Sequence, residues 1–318
     1  MTTAPSGSNQ AVSHETARAQ AVRDDRDHEA NFEARERATK SGFLQEVQVY
    51  EPHHIGIPPI GPYVRELWSR REFAAELSRA EMRSANTRTF FGQIWLVINP
   101  VLLASVYYVL VSILNRNARG MPYLAHLVAG IFAFYYVQGG ITTGARSVVG
   151  GGALISNIAF PRLLMPLSAI RTSFYRFLPT VPVYFIFHVL AKSPWSWKML
   201  LSIYFLICMT IFSAGLAAIF ATLQVYFRDT LSFLPYFLRI WLYLSPVLWF
   251  AEDVRASWRP FMVINPLFSI LGGWGDLLVR SEMPKLSVFV LAAAWSIGTA
   301  VVGFLIFMSR ERDFAVRL

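Results

Sequence analysis

Long apolar runs set the pattern of this chain from residue 91 onward, and a polar stretch of mixed charge precedes them. Six runs fall at about 91–114, 123–143, 166–190, 199–222, 232–250 and 286–308. Each is near the roughly 20 residues that carry an α-helix across ~30 Å of hydrocarbon. The pattern predicts an all-α membrane protein with six transmembrane helices over 91–309. An even count puts both termini on one side. Ahead of the runs, 63–90 reads as a helix, because Val64, Leu67, Trp68, Ala74, Ala75 and Met82 share one side at 100° per residue. Arg71 interrupts that stripe, and Phe73 and Leu77 lie off it. A helix resting on the cytoplasmic leaflet and an ordinary juxtamembrane helix both fit. The connection 251–285 is the longest in the membrane part, and its apolar run from Asn265 to Leu271 is too short to span. A helix dipping into the outer leaflet and a folded loop are both open.

The first 62 residues differ in kind. Residues 1–40 carry many charges and few large apolar side chains, the pattern of a disordered tail or loose charged helix. No apolar core segment stands there, so no signal peptide is expected. Residues 51–62 hold four prolines and two glycines, which fit an extended linker. The unsignalled, charged N-terminus is expected to stay in the cytoplasm, and residues 310–318 form a cytoplasmic tail. Short-loop charges do not decide the orientation, with eight arginines on the inner flanks against eight Lys and Arg in the outer loops.

Charge narrows the function. Between Glu81 and Glu252 the only acidic residue is Asp229, against twelve Lys and Arg. A water-facing surface needs charges of both signs, so this stretch is not a soluble fold. Proton-driven carriers and intramembrane enzymes place Asp or Glu inside the bilayer, and almost none is available. The driving force is therefore expected from another polypeptide. Of the net +9, residues 1–90 contribute −1 and the remainder +10. That excess fits both lipid anchoring and an anionic substrate. Scattered among apolar runs, it does not resemble a nucleic-acid surface.

The single cysteine, Cys208, sits in an apolar run and behaves as a small hydrophobe. Gly150, Gly151 and Gly152 are followed by no Gly-Lys-Ser/Thr, so they do not form a phosphate-binding loop, and no such motif occurs elsewhere. No Cys/His cluster has metal spacing, and no Ser nucleophile elbow is present. His53 and His54 lie in the Pro-rich linker, where exposure is the simpler reading. No cofactor is expected in this chain.

Three arginines fall inside expected spans: Arg171, Arg176 and Arg239. Arg176 lies about 15 Å along a helix from Pro166, too deep for easy snorkelling. A charge there costs roughly 3 kcal/mol on insertion scales, and the spans supply no acid to pair with it. A phosphate-bearing ligand, a water-filled path and backbone carbonyls are the possible partners. Aromatic residues number 47, many within spans. Sugar rings stack on aromatic faces through their C–H faces, so Tyr107, Tyr108, Phe134, Tyr135 and Trp241 are candidate lining for a glycan path. The same residue types also form interfacial belts. Asp229 beside Arg228 cannot pair with it on one helix. It is expected to receive a cation from Arg146 or Arg162 and so hold the second cytoplasmic loop. A solvated charge at a span end is the alternative.

The order of motifs resembles ABC-2-type polysaccharide exporter permeases, the membrane subunits that export O-antigen, teichoic acid and galactan precursors. Residues 83–100 read Arg-Ser-Ala-Asn-Thr-Arg-Thr-Phe-Phe-Gly-Gln-Ile-Trp-Leu-Val-Ile-Asn-Pro and are similar to the start of that family's first span. Residues 160–167, Phe-Pro-Arg-Leu-Leu-Met-Pro-Leu, resemble the approach to the third span. Tyr226-Phe227-Arg228-Asp229 resembles a signature after the fourth, and Leu244-Ser245-Pro246-Val247 and Asn265-Pro266-Leu267 match the end of the fifth and the outer segment. The resemblance covers roughly 65–310. It implies a type V exporter-like homodimer of six-span subunits bound to two ATPase subunits, which hold the ATP and Mg²⁺. It implies an interface helix over 63–89 and a coupling helix over 150–160 that meet the ATPase, with Arg71, Leu154, Ile155, Ser156, Asn157 and Phe160 as contacts. It places outer-leaflet helices within 251–285. The cargo implied is a polyprenyl-diphosphate-linked polysaccharide, moved across the bacterial cytoplasmic membrane with no bond made or broken by this chain. The long tail and the Ser84-Ala85-Asn86-Thr87 run depart from the family pattern. A drug or small-lipid permease of the same type remains open. A polyprenyl-phosphate enzyme would need Mg²⁺-binding carboxylates, and only Asp229 is offered. A channel is disfavoured by the missing filter-like repeats.

Overall fold

A computed structural model describes residues 59–84, 92–114, 120–255 and 257–318. The tail 1–58 and the segment 85–91 lie outside the described residues, and so do the expectations placed on them. Among the described residues the chain is helical, with no strand.

The expected interface helix is two helices, α1 (Ile60–Ser69) and α2 (Arg71–Ser84). They part at Arg70, whose φ of −97° and ψ of 17° leave the helical well. The sequence stripe divides with them. Tyr63 faces inward from α1, while Ile60, Val64 and Trp68, one turn apart, stay exposed. Ala74, Ala75 and Ser78 of α2 are buried against a later helix, α6 (Leu164–Phe177).

Among the described residues, four helices are long and apolar enough to cross a membrane: Trp95–Ile113, Gly120–Gly150, Trp197–Tyr226 and Leu286–Arg317. Their helical cores are α3 (Trp95–Leu114), α4 (Gly120–Gly150), α8 (Ser202–Tyr226) and α11 (Leu286–Arg310). The other two expected spans take a different form. The third consists of α6 followed by α7 (Thr180–Leu190), with Leu178 and Pro179 between them. Pro179 offers no N–H to the ladder, which breaks the helix there. The fifth is α9 (Thr230–Leu244), 15 residues long, about 22 Å at 1.5 Å per residue. Pro246 prevents its continuation. A short helix, α5 (Gly152–Asn157), precedes α6, and α10 (Pro266–Gly275) lies in the long connection.

Helix α4 is the axis of the bundle. It packs against α3, α6, α7, α8, α9 and α10, and its 18-residue apolar window is 78% buried, where that of α3 is 11%. An element so covered must be apolar all round, which explains why α4 shows no polar face in the sequence. Close helix approach depends on missing side chains. A Cβ on Gly144 would collide with Ala217 of α8, and one on Gly303 of α11 would collide with the Gly215 carbonyl of α8.

Asn265 explains one of the sequence motifs. Its Oδ1 accepts from Leu267 N at 3.1 Å, capping α10. The same oxygen accepts from Trp241 Nε1 at 2.8 Å, and its Nδ2 donates to Leu244 O at 2.9 Å. Asn265-Pro266 thereby starts α10 and ties it to the end of α9. The segment 265–275 is a helix rather than a loop, with eight of its residues buried.

Candidate functional site

The expected aromatic and basic residues separate into two groups. In the first, Tyr107 of α3 donates to Tyr243 Oη of α9 at 3.2 Å, with the rings edge to face at 6.3 Å. Arg239, one turn before Tyr243 and exposed, lies within electrostatic range of Tyr107 and of the exposed Tyr135 on α4. Three helices therefore contribute to one aromatic and cationic surface. Tyr243 is one of the aromatics of the fifth run, and its spacing of four from Arg239 puts both on one helix face.

In the second group, Tyr135 and Arg176 line one cavity of about 170 Å³ with Pro100, Tyr136 and Ser173. Ser173 is buried, and its Oγ has no hydrogen-bond partner among the described residues. Arg171 lies elsewhere, donating to Tyr175 Oη at 3.1 Å with its guanidinium over the same ring.

Several expectations need correction. Arg176 does have an acidic neighbour: its Nη2 is 3.6 Å from Glu81 Oε1. Glu81 belongs to α2, outside every span, and reaches Arg176 because α2 docks on α6. Thr172 Oγ1, 3.0 Å from Ser78 Oγ and 3.2 Å from Glu81 Oε2, marks the seam. Phe134 is 1% exposed inside the core and lines no path. Trp241 commits its N–H to Asn265 and packs on Phe212 and Phe237, so it is a strut between α8, α9 and the long connection. Tyr108 turns toward the buried Tyr123, ring centroids 6.4 Å apart.

At the other end of the bundle, the residues expected to meet an ATPase are only partly presented. Asn157 is exposed and Leu154 half-buried on α5, and Ser156 lies on the same helix. Ile155 is 5% exposed, packed with Tyr63, Val148 and Phe314 in an internal cluster. Phe160 packs on Phe73 of α2, ring centroids 4.9 Å apart and planes tilted by 56°. Both residues hold α5 in place from within. The outward surface is instead Ala153, Asn157, Ile158 and Ala159. Arg71 is exposed, but its guanidinium folds back over Trp68 and donates to Trp68 O at 3.2 Å.

The expected clamp at Asp229 is replaced by another. Arg228 and Asp229 are both exposed, Arg228 donates to Arg317 O at 3.3 Å, and neither Arg146 nor Arg162 pairs with Asp229 among the described residues. The carboxylate that holds Arg162 is Glu311, just beyond α11. Its Oε1 accepts from Arg162 N at 2.5 Å, its Oε2 accepts from Tyr63 Oη at 2.5 Å, and the Arg162 guanidinium donates to Glu311 O. Burial, reinforced by the Glu311 carboxylate, pushes the Tyr63 phenol well above its ordinary range. Three elements distant in sequence meet here: α1, the turn between α5 and α6, and the end of α11. Glu311 sits in the charged run 310–313, where sequence alone does not separate a buried carboxylate from a solvated one.

Comparison with known proteins bears on this arrangement. The chain is 27% identical over 243 residues to an O-antigen export system permease protein RfbA of Klebsiella pneumoniae, covering 75% of this chain and 92% of that one. It is 25% identical over 256 residues to an RfbA of Myxococcus xanthus, covering 79% of this chain and 97% of the relative. The chain resembles ABC-2-type polysaccharide exporter permeases. The family read from the five motifs is thus borne out, and the relatives are named as permease proteins. No protein-family model matches the chain.

The end of the bundle opposite Glu311 carries its own charge cluster. Arg280 bridges Glu252 at 2.8 Å, Glu282 at 2.9 Å and Asp276 at 3.7 Å. Burial pushes the Asp276 carboxyl up to about 6, with Arg280 pulling it down and Glu282 and Glu252 adding to the rise. Between about 4, the ordinary Asp value, and about 6, folded Asp276 keeps a proton that the unfolded chain has released. This group's contribution to stability therefore falls as pH rises through that window. The Asp276→Asn variant should lose that slope. Thermal unfolding of the solubilised protein at pH 4.5 and 7 checks it, and an unchanged slope in the variant refutes the assignment.

Proposed function

We propose that the chain is the membrane subunit of an ABC transporter that exports a polyprenyl-diphosphate-linked polysaccharide across the bacterial cytoplasmic membrane. The reading rests above all on similarity to O-antigen export permeases along almost their whole length. ATP hydrolysis belongs to a partner bound in two copies, and this chain makes and breaks no bond. O-antigen is the cargo the relatives' names favour, with teichoic acid or galactan precursors as the other glycans of the class.

The site residues fit that task. One six-span subunit is too small to enclose a glycan, so the path lies between two copies related by a two-fold axis. The exposed apolar faces of α3 and α9, with Tyr107, Tyr243 and Arg239, supply a surface that a second copy can complete. Both termini lie in the cytoplasm, where α1, α5 and the Glu311 cluster face the ATPase. The aromatic rings let sugar units slide, and arginines meet the diphosphate.

Affinity purification of the chain from mild detergent tests the assembly. An ATPase should co-purify at one copy per permease. An Asn157→Arg, Ile158→Asp double variant, altering the exposed surface at α5, should release it while the permease stays folded. Retention of the ATPase by that variant, or purification of the parent chain without any ATPase, overturns the assignment.

A further inference from the structure

Two cavities share a wall, one adding a cation and a buried hydroxyl to a largely apolar lining and the other almost wholly apolar. The first is the 170 Å³ compartment with Arg176, Tyr135 and Ser173. The second, about 370 Å³, lies between α4, α7, α8 and α10, within the size range of small-molecule sites. Phe132, Phe177 and Thr180 line both.

The larger cavity offers nothing to a polar ligand. Its surface is almost wholly carbon, with Trp274, Met199 and Leu278 among its lining. Its side-chain hydroxyls are already engaged: Thr180 donates to Phe177 O, Tyr184 to Leu278 O and Ser202 to Met199 O. Ser196 accepts from Lys198 N. A sugar or nucleotide placed there would leave its own hydroxyls unpaired. The cavity runs from the buried Phe132, Phe177 and Trp274 out to Phe185, Leu200 and Ile203, which are exposed on the apolar outer surface of the bundle. A hydrocarbon chain can enter sideways from lipid without crossing water.

The smaller compartment has the complementary character. Arg176 supplies a cation, and its nearest acid, at 3.6 Å, leaves donors of the guanidinium free to turn inward. Ser173 Oγ is 2% exposed and unpartnered, a state that buried hydroxyls rarely occupy without a ligand or water. Within one shared wall, a donor pair for an anion adjoins a slot for a chain.

Resting on the export reading above, we propose that these two compartments together form the anchor site for the lipid part of the cargo. The phosphate end of a prenyl phosphate lies against Arg176 and Ser173, and the first isoprene units fill the apolar cavity. The glycan is then left on the Tyr107–Tyr243 surface, outside the anchor site. Ser173 is a binding residue here, accounting for a hydroxyl that the fold itself does not use.

The test uses the purified full chain with its co-purifying ATPase in vesicles and a photoactivatable prenyl phosphate that carries no glycan. Adducts should fall on the lining of both cavities, and unlabelled prenyl phosphate should compete them away while phosphatidylglycerol does not. Arg176→Gln should lower labelling about tenfold or more, the loss expected for a hydrogen bond to a charged group. Ala129→Leu, which narrows the apolar cavity without touching the cation, should lower it several-fold. Ser173→Ala gives the sharpest reading: labelling falls while the unfolding midpoint holds or rises, because a partnerless hydroxyl is removed. Equal labelling in Ser173→Ala, adducts confined elsewhere, or equal competition by phosphatidylglycerol would each overturn the proposal. Labelling needs no transport, so a chain that binds the probe but exports no glycan would overturn the export reading alone.

Discussion

Glu311→Ala should lower the stability of the solubilised chain by about 2–4 kcal/mol, the cost of leaving two buried donors without an acceptor. The carboxylate is 9% exposed and accepts from Tyr63 Oη and Arg162 N, each at 2.5 Å. Its loss leaves a buried phenol and a backbone N–H without acceptors, each with a desolvation penalty, while the Arg162 guanidinium keeps its bond to the carbonyl of residue 311. Glu311→Gln keeps an acceptor oxygen and the side-chain shape, so its loss should be smaller. Tyr63→Phe removes one donor and should cost about 1 kcal/mol. Unfolding in SDS or heat measures all three. The tie also joins α1, the turn after α5 and the end of α11, so the alanine variant should show faster proteolysis within 60–84. A loss below about 0.5 kcal/mol, the level of an ordinary surface change, would mean that Glu311 is solvated in the protein.

The second large effect is expected at Gly303. A Cβ there would meet the Gly215 carbonyl oxygen and carbon, which are backbone atoms and cannot rotate away. The reverse is also true, since a Cβ on Gly215 would lie 2.5 Å from Thr299 O and 2.6 Å from Ala300 N. Gly303→Ala must therefore push α8 and α11 apart, at a cost of about 1–3 kcal/mol for an overpacked contact. Gly303→Leu should abolish the folded form. Small residues at such crossings let helix backbones approach closely in membranes, where packing rather than water exclusion drives association. Gly298→Ala is the control, because nothing lies within 4 Å of its added Cβ. Similar unfolding midpoints for the two alanine variants would show that the α8–α11 crossing is looser than described.

The legible part of this molecule is what a single segment can encode. Apolar run length marked all the long helices, but the single run at 166–190 hid the break that Pro179 makes within it. The Asn265-Pro266 pair marked a real helix start. The illegible part is what two distant segments decide together. Arg176 seemed to lack an acid because Glu81 lies in another helix, 95 positions away in sequence. Asp229 seemed to be the cytoplasmic clamp because it was alone in its region, yet Glu311 from the end of α11 arrives first at Arg162. The candidate aromatics divide for the same reason. Span position does not say which way a ring turns, so Phe134 falls in the core while Tyr243 closes on Tyr107. Ser173 shows no sequence signal at all, and only its burial without a partner distinguishes it.

The account depends on the chain being a conduit without an engine of its own. The most direct measurement places the purified chain in sealed vesicles with a lipid-linked glycan on one leaflet, with and without the co-purified ATPase. Translocation should appear only when both proteins and ATP are present, and should be indifferent to an imposed proton or sodium gradient. Uphill movement of the glycan by the chain alone on such a gradient would contradict the account.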